Sequence, residues 1–353
     1  MRFVVNDIAA SYGGALTILK QFYNYVRNNC QKDEWFFLLG DKYIEETENI
    51  KLQLFPKIKR SHLRKVWFDC FAGHSVIDAL HPDAVLSLQN IMTFGVKAPQ
   101  AVYVHQSIPF QDIKDFSLFK RDERGIAFIQ KVIGAFIKKS IKQADAVIVQ
   151  TPWMREAVIR KTSIKHDKIV IARPDCELPP SIPKVDFSPR NFFYPTSDSL
   201  YKNNEVIVKA CEILWNRGIR DFTVYLTLPP ETIHHPAIRC IGYLDRSELF
   251  QRYASSVLLF PSYIETVGLP LLEAASLGAP IITADCPHAH DILHEYDNVS
   301  YFLPFDYNGL ANRMAEAMSA PERQKEAFRI DYDSEWSNII KLLEAIGSHC
   351  GSH

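Results

Sequence analysis

Residues 260–285 read Phe-Pro-Ser-Tyr-Ile-Glu-Thr-Val-Gly-Leu-Pro-Leu-Leu-Glu-Ala-Ala-Ser-Leu-Gly-Ala-Pro-Ile-Ile-Thr-Ala-Asp. The apolar run Val257–Phe260 before the first carboxylate predicts a buried strand, and Pro280–Ala284 predicts the next. Between them lie a loop and a short helix, so the unit is strand, loop, helix, strand, which requires a parallel crossover. In such a unit the loop at the strand's carboxyl end, with exposed N–H groups at the helix start, suits an anionic ligand. Gly268 lets backbone approach that ligand closely. Glu265 falls in the loop and Glu273 about two turns further on. Carboxylates accept hydrogen bonds from paired hydroxyls, so two of them beside a phosphate-binding helix end suggest a sugar nucleotide.

The rest of the chain repeats this alternation. Apolar runs at Phe3–Val5, Trp35–Leu39, Ala84–Leu86, Ala101–Val104, Ala146–Val149 and Ile169–Ile171 are separated by helical patterns. The stretch from Arg173 to Arg190 then carries Pro174, Pro179, Pro180, Pro183 and Pro189 and reads as a linker. A second alternation follows, with strands at Asn191–Tyr194, Phe222–Leu226 and Ile238–Ile241 and helices over 203–217 and 246–254. Two doubly wound α/β domains are expected, residues 1–180 and 190–330, facing one another across a cleft. A last helical pattern covers 334–347, with Asp333 as its cap.

Composition narrows the class. At 353 residues, 47% hydrophobic and 23% charged, the chain suits a globular protein with two cores. A formal charge of −1 gives no electrostatic case for nucleic acid. Seven scattered cysteines without a C-x-x-C indicate neither a disulfide framework nor a zinc site, and reduced thiols in a cytoplasmic protein are the plain expectation. Met1 leads directly into a strand, so no signal peptide is expected. No apolar run reaches transmembrane length.

The 260–285 segment resembles the signature of retaining glycosyltransferases of the GT-B fold, glycosyltransferase family 4. That signature is a Glu, seven residues and a second Glu, with Gly-Leu-Pro between them and a small-residue helix ending in Gly-x-Pro. The match runs through Pro261, Ser262, Glu265, Gly268, Leu269, Pro270, Glu273, Ala274, Gly278 and Pro280. The resemblance implies two facing Rossmann-like domains, with the terminal helix crossing back to the first. It implies transfer of a hexose from a UDP- or GDP-linked donor to a glycan or lipid-linked saccharide. Glu273 would hold the donor ribose, and Glu265 with the backbone of Thr266, Val267, Gly268 and Leu269 would hold the sugar and diphosphate.

Further positions match the same family. Gly13 and Gly14 follow the first strand, where the family has a glycine pair near the donor phosphates. His105 closes the strand Ala101–Val104, where a family histidine touches the transferred sugar. Lys202 follows Tyr194-Pro195-Thr196 and stands where the family pairs a lysine with the diphosphate. As a lysine at a helix start it is read as exposed and of little consequence for stability. Many members carry an arginine five residues earlier, where this chain has Ser197. Gly242 matches the glycine before the base-binding loop.

Other features are discounted. Asp331-Tyr332-Asp333 precedes a terminal helix rather than ending a strand, so it reads as a cap. His288, His290 and His294 with Asp291 and Glu295 have spacing suited to a metal face, but the family uses that loop without metal, and no cofactor is expected. The basic stretches 57–65 and 118–142 read either as solvated faces or as peripheral contacts with an anionic membrane. The function expected is thus a retaining glycosyltransferase of surface polysaccharide synthesis, cytoplasmic and at or near the inner membrane face. A sugar-nucleotide epimerase of the same fold and a non-catalytic sugar-nucleotide-binding subunit are the alternatives.

Overall fold

The computed structural model describes all residues except 12, 60, 177, 179, 180, 182, 320–333 and 350–353. The Asp331 and Asp333 readings, like Cys350, lie outside the described residues. The chain divides into two compact units. The first comprises Met1–Lys120, Arg124–Asp175 and the C-terminal helix Trp336–His349; the second comprises Arg121–Glu123 and the chain from Cys176 through the helix Tyr307–Ser319.

The first unit holds a seven-stranded parallel sheet. Its strands are β1 (Arg2–Asp7), β2 (Glu34–Leu39), β3 (Ile50–Leu54), β4 (Ala84–Ser87), β5 (Gln100–Val104), β6 (Ala146–Val149) and β7 (Ile169–Ile171), in the order β3-β2-β1-β4-β5-β6-β7. β4, β5 and β6 are buried along their whole length, as strands covered on both faces must be. β3 was not expected from the sequence. It is a sheet edge reading Ile-Lys-Leu-Gln-Leu with only Ile50 buried, so it lacks the continuous apolar run of its neighbours. The C-terminal helix packs on β4, β6 and β7, and its Trp336 stacks near Tyr103 and Phe22 in the core of this unit.

The second unit holds a six-stranded parallel sheet. Its strands are β8 (Asn191–Tyr194), β9 (Thr223–Leu226), β10 (Ile238–Cys240), β11 (Val257–Phe260), β12 (Ile281–Ala284) and β13 (Val299–Phe302), in the order β10-β9-β8-β11-β12-β13. In both sheets the strand order reverses once, between β1 and β4 in the first and between β8 and β11 in the second. Such reversals open a crevice at the carboxyl edge, because successive loops leave in opposite directions.

The basic stretches have specific neighbours. Lys65 is desolvated between Asp7 and Asp69, so the run 57–65 is not uniformly a solvated face. In 118–142 the helical turns bury Ala127, Ile137 and Ile141, leaving Phe128 and Val132 exposed. Asp7 ends β1 at the strand reversal, with Oδ2 buried and lacking a hydrogen-bond partner among the described residues. Burial pushes its carboxyl up to about 7, and pushes Asp69, which accepts from Gln89, up to about 6.

A carboxyl raised in this way keeps its proton in the folded chain when the unfolded chain has released it. Between about pH 4 and 7 the folded state therefore binds more protons, and the group's contribution to stability falls as pH rises. Asp7→Asn removes that dependence. The stability of Asp7→Asn relative to wild type should rise from pH 4 to pH 7 by roughly 2–4 kcal/mol. Thermal or urea unfolding across that range checks it, and a pH-independent difference contradicts the assignment.

Candidate functional site

The loops that follow β8 and β11 meet at the strand reversal of the second sheet and are stitched together. The Tyr201 carbonyl accepts from the Tyr263 N–H at 3.1 Å and from the Ser262 hydroxyl at 3.3 Å. The Asn203 amide donates to the Pro304 carbonyl at 2.5 Å and to that of Pro261 at 3.4 Å. Asn203 has φ 58°, a left-handed conformation that asparagine tolerates, and it turns the chain into the helix Asn204–Asn216. The Tyr194 hydroxyl, buried in β8, donates to the Lys202 carbonyl at 3.1 Å. Lys202 is thereby fixed on both sides.

Its ammonium lies 2.5 Å from Glu265 Oε1, with the two side chains 17% and 18% exposed. The Ser262 hydroxyl donates to the same oxygen at 2.7 Å. Lys202 is therefore not the loosely exposed lysine that its place at a helix start suggested. The pair is too enclosed to count as an ordinary surface ion pair, and losing one partner would strand the other.

Gly268 stands at the start of the helix Leu269–Ser276 with φ 81°. A β-carbon there would meet Leu271 at 3.3 Å and His288 at 3.6 Å, so both backbone conformation and space call for glycine. Pro270 occupies the first turn, where its missing N–H costs nothing. Val267 is buried, whereas Thr266 is partly exposed. In the loop after β8, the Thr196 N–H donates to the Thr227 hydroxyl and the Asn204 amide donates to the Ser197 carbonyl. Gly242 follows β10, its N–H bonded to the Leu228 carbonyl.

Glu273 sits deeper than Glu265, its side chain 5% exposed. Arg246 Nη1 reaches its Oε1 at 2.6 Å, and the Tyr253 hydroxyl donates to its Oε2 at 2.9 Å. Neither partner was picked out from the sequence. The signal was present: Arg246, Phe250 and Tyr253 recur at i, i+4 and i+7 on the helix Arg246–Ser255 just before the motif.

The histidines do not converge. His288 is buried beneath the 260–268 loop, edge-on to Phe260, and burial pushes it down to about 4. His290 pairs with Asp285 at 2.6 Å and stacks on Tyr301, while His294 lies beside Glu295. Among the described residues no group of three or more His, Cys, Asp or Glu is placed to hold a metal ion.

The first unit carries the other expected residues at its own carboxyl edge. Gly13, with φ 62°, opens the helix Gly13–Asn29, and space is open around both Gly13 and Gly14. His105 follows β5. Its N–H donates to Asn90 Oδ1 at 2.7 Å, and its Nε2 lies 3.0 Å from the Leu88 carbonyl. The same Nε2 lies 3.1 Å from the Asn90 side-chain amide nitrogen, so Asn90 holds both the backbone and the ring of His105. Burial pushes the imidazole down to about 4, leaving it neutral near pH 7.

Comparison with known proteins follows from these features. Residues 235–330 match the family model described as glycosyl transferases group 1, a span that includes Gly242, Arg246, Tyr253, Glu265 and Glu273. The O-antigen chain mannosyltransferase RfbU of Salmonella typhimurium is 24% identical over 230 residues, 59% of this chain and 62% of that protein. The chain thus spans under two thirds of that curated relative. Among solved structures, sucrose-phosphate synthase from Thermosynechococcus elongatus superposes with a TM-score of 0.64 at 15% identity, covering 99% of this chain and 97% of the other. The lipopolysaccharide outer core galactosyltransferase WaaB in its apo form gives a TM-score of 0.61 at 16% identity, covering 90% of each chain. The chain has the GT-B fold, and within its second unit residues 235–330 match the glycosyl transferases group 1 model.

Proposed function

We propose that this protein is a retaining glycosyltransferase that moves a hexose from a nucleotide diphosphate sugar to a hydroxyl of a saccharide acceptor in surface polysaccharide synthesis. The observation that carries the reading is the strand reversal of the second sheet. There Glu265 and the start of the helix Leu269–Ser276, inside the span that matches the group 1 model, meet Lys202 from the neighbouring loop. The O-antigen mannosyltransferase among the relatives and the lipopolysaccharide galactosyltransferase among the structures support the acceptor class.

In this reading Glu273 takes the ribose hydroxyls, and Lys202 with the N–H groups at the helix start takes the diphosphate. As the bond from C1 to the phosphate oxygen breaks, charge grows on the leaving diphosphate. A fixed ammonium and aligned amides stabilise that charge more than the ground state. The acceptor oxygen joins C1 on the face the phosphate leaves, and the departing phosphate takes the acceptor proton. Glu265 then orients sugar hydroxyls. His105, kept neutral by burial, is assigned in this scheme to hydrogen-bond the transferred sugar. Charge neutralisation falls to protein groups, so no metal is invoked.

The protein is read as cytoplasmic, with peripheral membrane contact through the first unit. Phe119 is 95% exposed, and Trp67 and Phe71, one helical turn apart, are 60% and 68% exposed. Isolated large apolar side chains beside lysines suit an anionic bilayer surface. No helix among the described residues is long and apolar enough to cross a membrane.

The reading makes three measurable claims. Glu273→Gln should weaken binding of the free nucleoside diphosphate by roughly 1.5–3 kcal/mol, measured by calorimetry. Unchanged affinity refutes the ribose role. Transfer should persist in excess EDTA and yield product with the donor's anomeric configuration by NMR. Loss of activity on chelation, restored by Mn²⁺ or Mg²⁺, overturns the metal-free scheme. Lys202→Ala should lower both turnover and stability, the latter by about 1–3 kcal/mol because Glu265 loses its counter-ion. Near-wild-type turnover with the expected loss of stability would make the lysine structural only.

A further inference from the structure

The carboxylate assigned to the ribose does not stand alone. Glu273 is nearly enclosed, and a carboxylate at that depth is costly unless paired and hydrogen-bonded. Arg246 supplies the charge at Oε1 and Tyr253 a neutral donor at Oε2, so each oxygen has a protein donor. Both partners are themselves fixed. Arg246 is the first residue of a helix whose start is locked by a capping box. In it the Glu248 N–H donates to Asp245 at 2.8 Å and the Asp245 N–H donates to Glu248 at 3.0 Å. Its guanidinium lies 4.6 Å from the centre of the Phe250 ring, one turn on. The Tyr253 ring is buried and packs edge-on against Phe193 of β8.

A vicinal diol donates one hydrogen bond to each carboxylate oxygen, and it does so best when the carboxylate plane is held still. A carboxylate offers about four acceptor directions, so one protein donor on each oxygen orients the plane while the group keeps capacity for hydroxyls. A single partner would leave the group free to rotate about the last side-chain bond. Two partners on opposite oxygens remove that freedom before the ligand arrives, and preorganisation of this kind raises affinity by lowering the ordering cost.

We propose that Arg246 and Tyr253 are positioning residues that set the Glu273 carboxylate for the 2′,3′-diol of a ribonucleoside, and so make this site selective for ribo- over 2′-deoxyribonucleotides. The proposal rests on the donor-binding reading above. Neither residue needs to touch the reacting atoms. Their effect falls on recognition of the nucleoside half of the donor, and KM for the donor should move more than kcat.

Calorimetry with UDP, GDP and ADP, and with the 2′-deoxy form of whichever binds best, tests it. Wild type should favour the ribo form by about tenfold or more, as expected when one hydrogen bond to a charged group is lost. In Tyr253→Phe and in Arg246→Ala the ribo affinity should drop by a similar factor and the deoxy affinity change little, bringing the ratio towards one. Arg246→Lys, which keeps a charged donor, should recover part of the ratio. A general loss of folding weakens both nucleotides alike, so the ratio separates positioning from mere structure. A ratio in Tyr253→Phe and Arg246→Ala equal to that of wild type overturns the proposal and leaves donor binding standing. Wild type that binds none of the three ribonucleotides overturns the donor-binding reading itself.

Discussion

The ion pair between Lys202 and Glu265 is the constraint around which the second unit's working edge is organised. Its two members come from loops after β8 and β11, which lie side by side in the sheet although 63 residues separate them in sequence. The pair joins those loops only because the backbone around it is already stitched through the Tyr201 carbonyl and Asn203. Each loop therefore limits the other's conformations, and much of the ordering entropy that a ligand would otherwise have to supply is spent in folding.

The fold was legible in the sequence because parallel strands buried on both faces must be continuous apolar runs. Ala101–Val104, Ala146–Val149 and Val257–Phe260 are of that type, and the structure has strands at each. The edge strand β3 was missed for the same reason reversed, since half its side chains meet solvent. The linker's prolines marked the region where the chain passes between the two units. The motif's loop, helix and next strand followed from Gly268 and Pro270, each of which has a single cheap backbone use there.

The site was legible only in part. Spacing placed Glu265 in a loop and Glu273 on a helix, but could not say that each carboxylate carries its own cation. Arg246 lies 27 residues before Glu273 and Lys202 lies 63 before Glu265, distances at which one sequence contains no pairing information. The same limit hid Lys65. Within its run of basic residues it looks solvated, yet folding brings it between Asp7 and Asp69. The three histidines near 290 show the converse. Their spacing suggested a shared face, but the helix ends at Ile292 and the side chains go to the core, to Asp285 and to Glu295.

The two carboxylates also differ in what a ligand must displace. At Glu273 the Arg246 and Tyr253 donors sit on opposite oxygens, so in the proposed reading diol hydroxyls would join these two contacts rather than replace them. At Glu265 the ammonium and the Ser262 hydroxyl converge on one oxygen, Oε1. In the proposed reaction a diphosphate in the crevice would compete with Glu265 for that ammonium, and two negative charges spread over a diphosphate compete well against a single carboxylate. Were Lys202 to share its ammonium with the phosphates, Glu265 would lose part of its counter-ion and become a stronger acceptor for sugar hydroxyls. In the proposed reaction the pair would thus couple the two halves of donor recognition, with phosphate binding preparing the carboxylate that grips the sugar. That coupling needs the cation and the carboxylate on different loops, which the strand reversal at β8 and β11 provides.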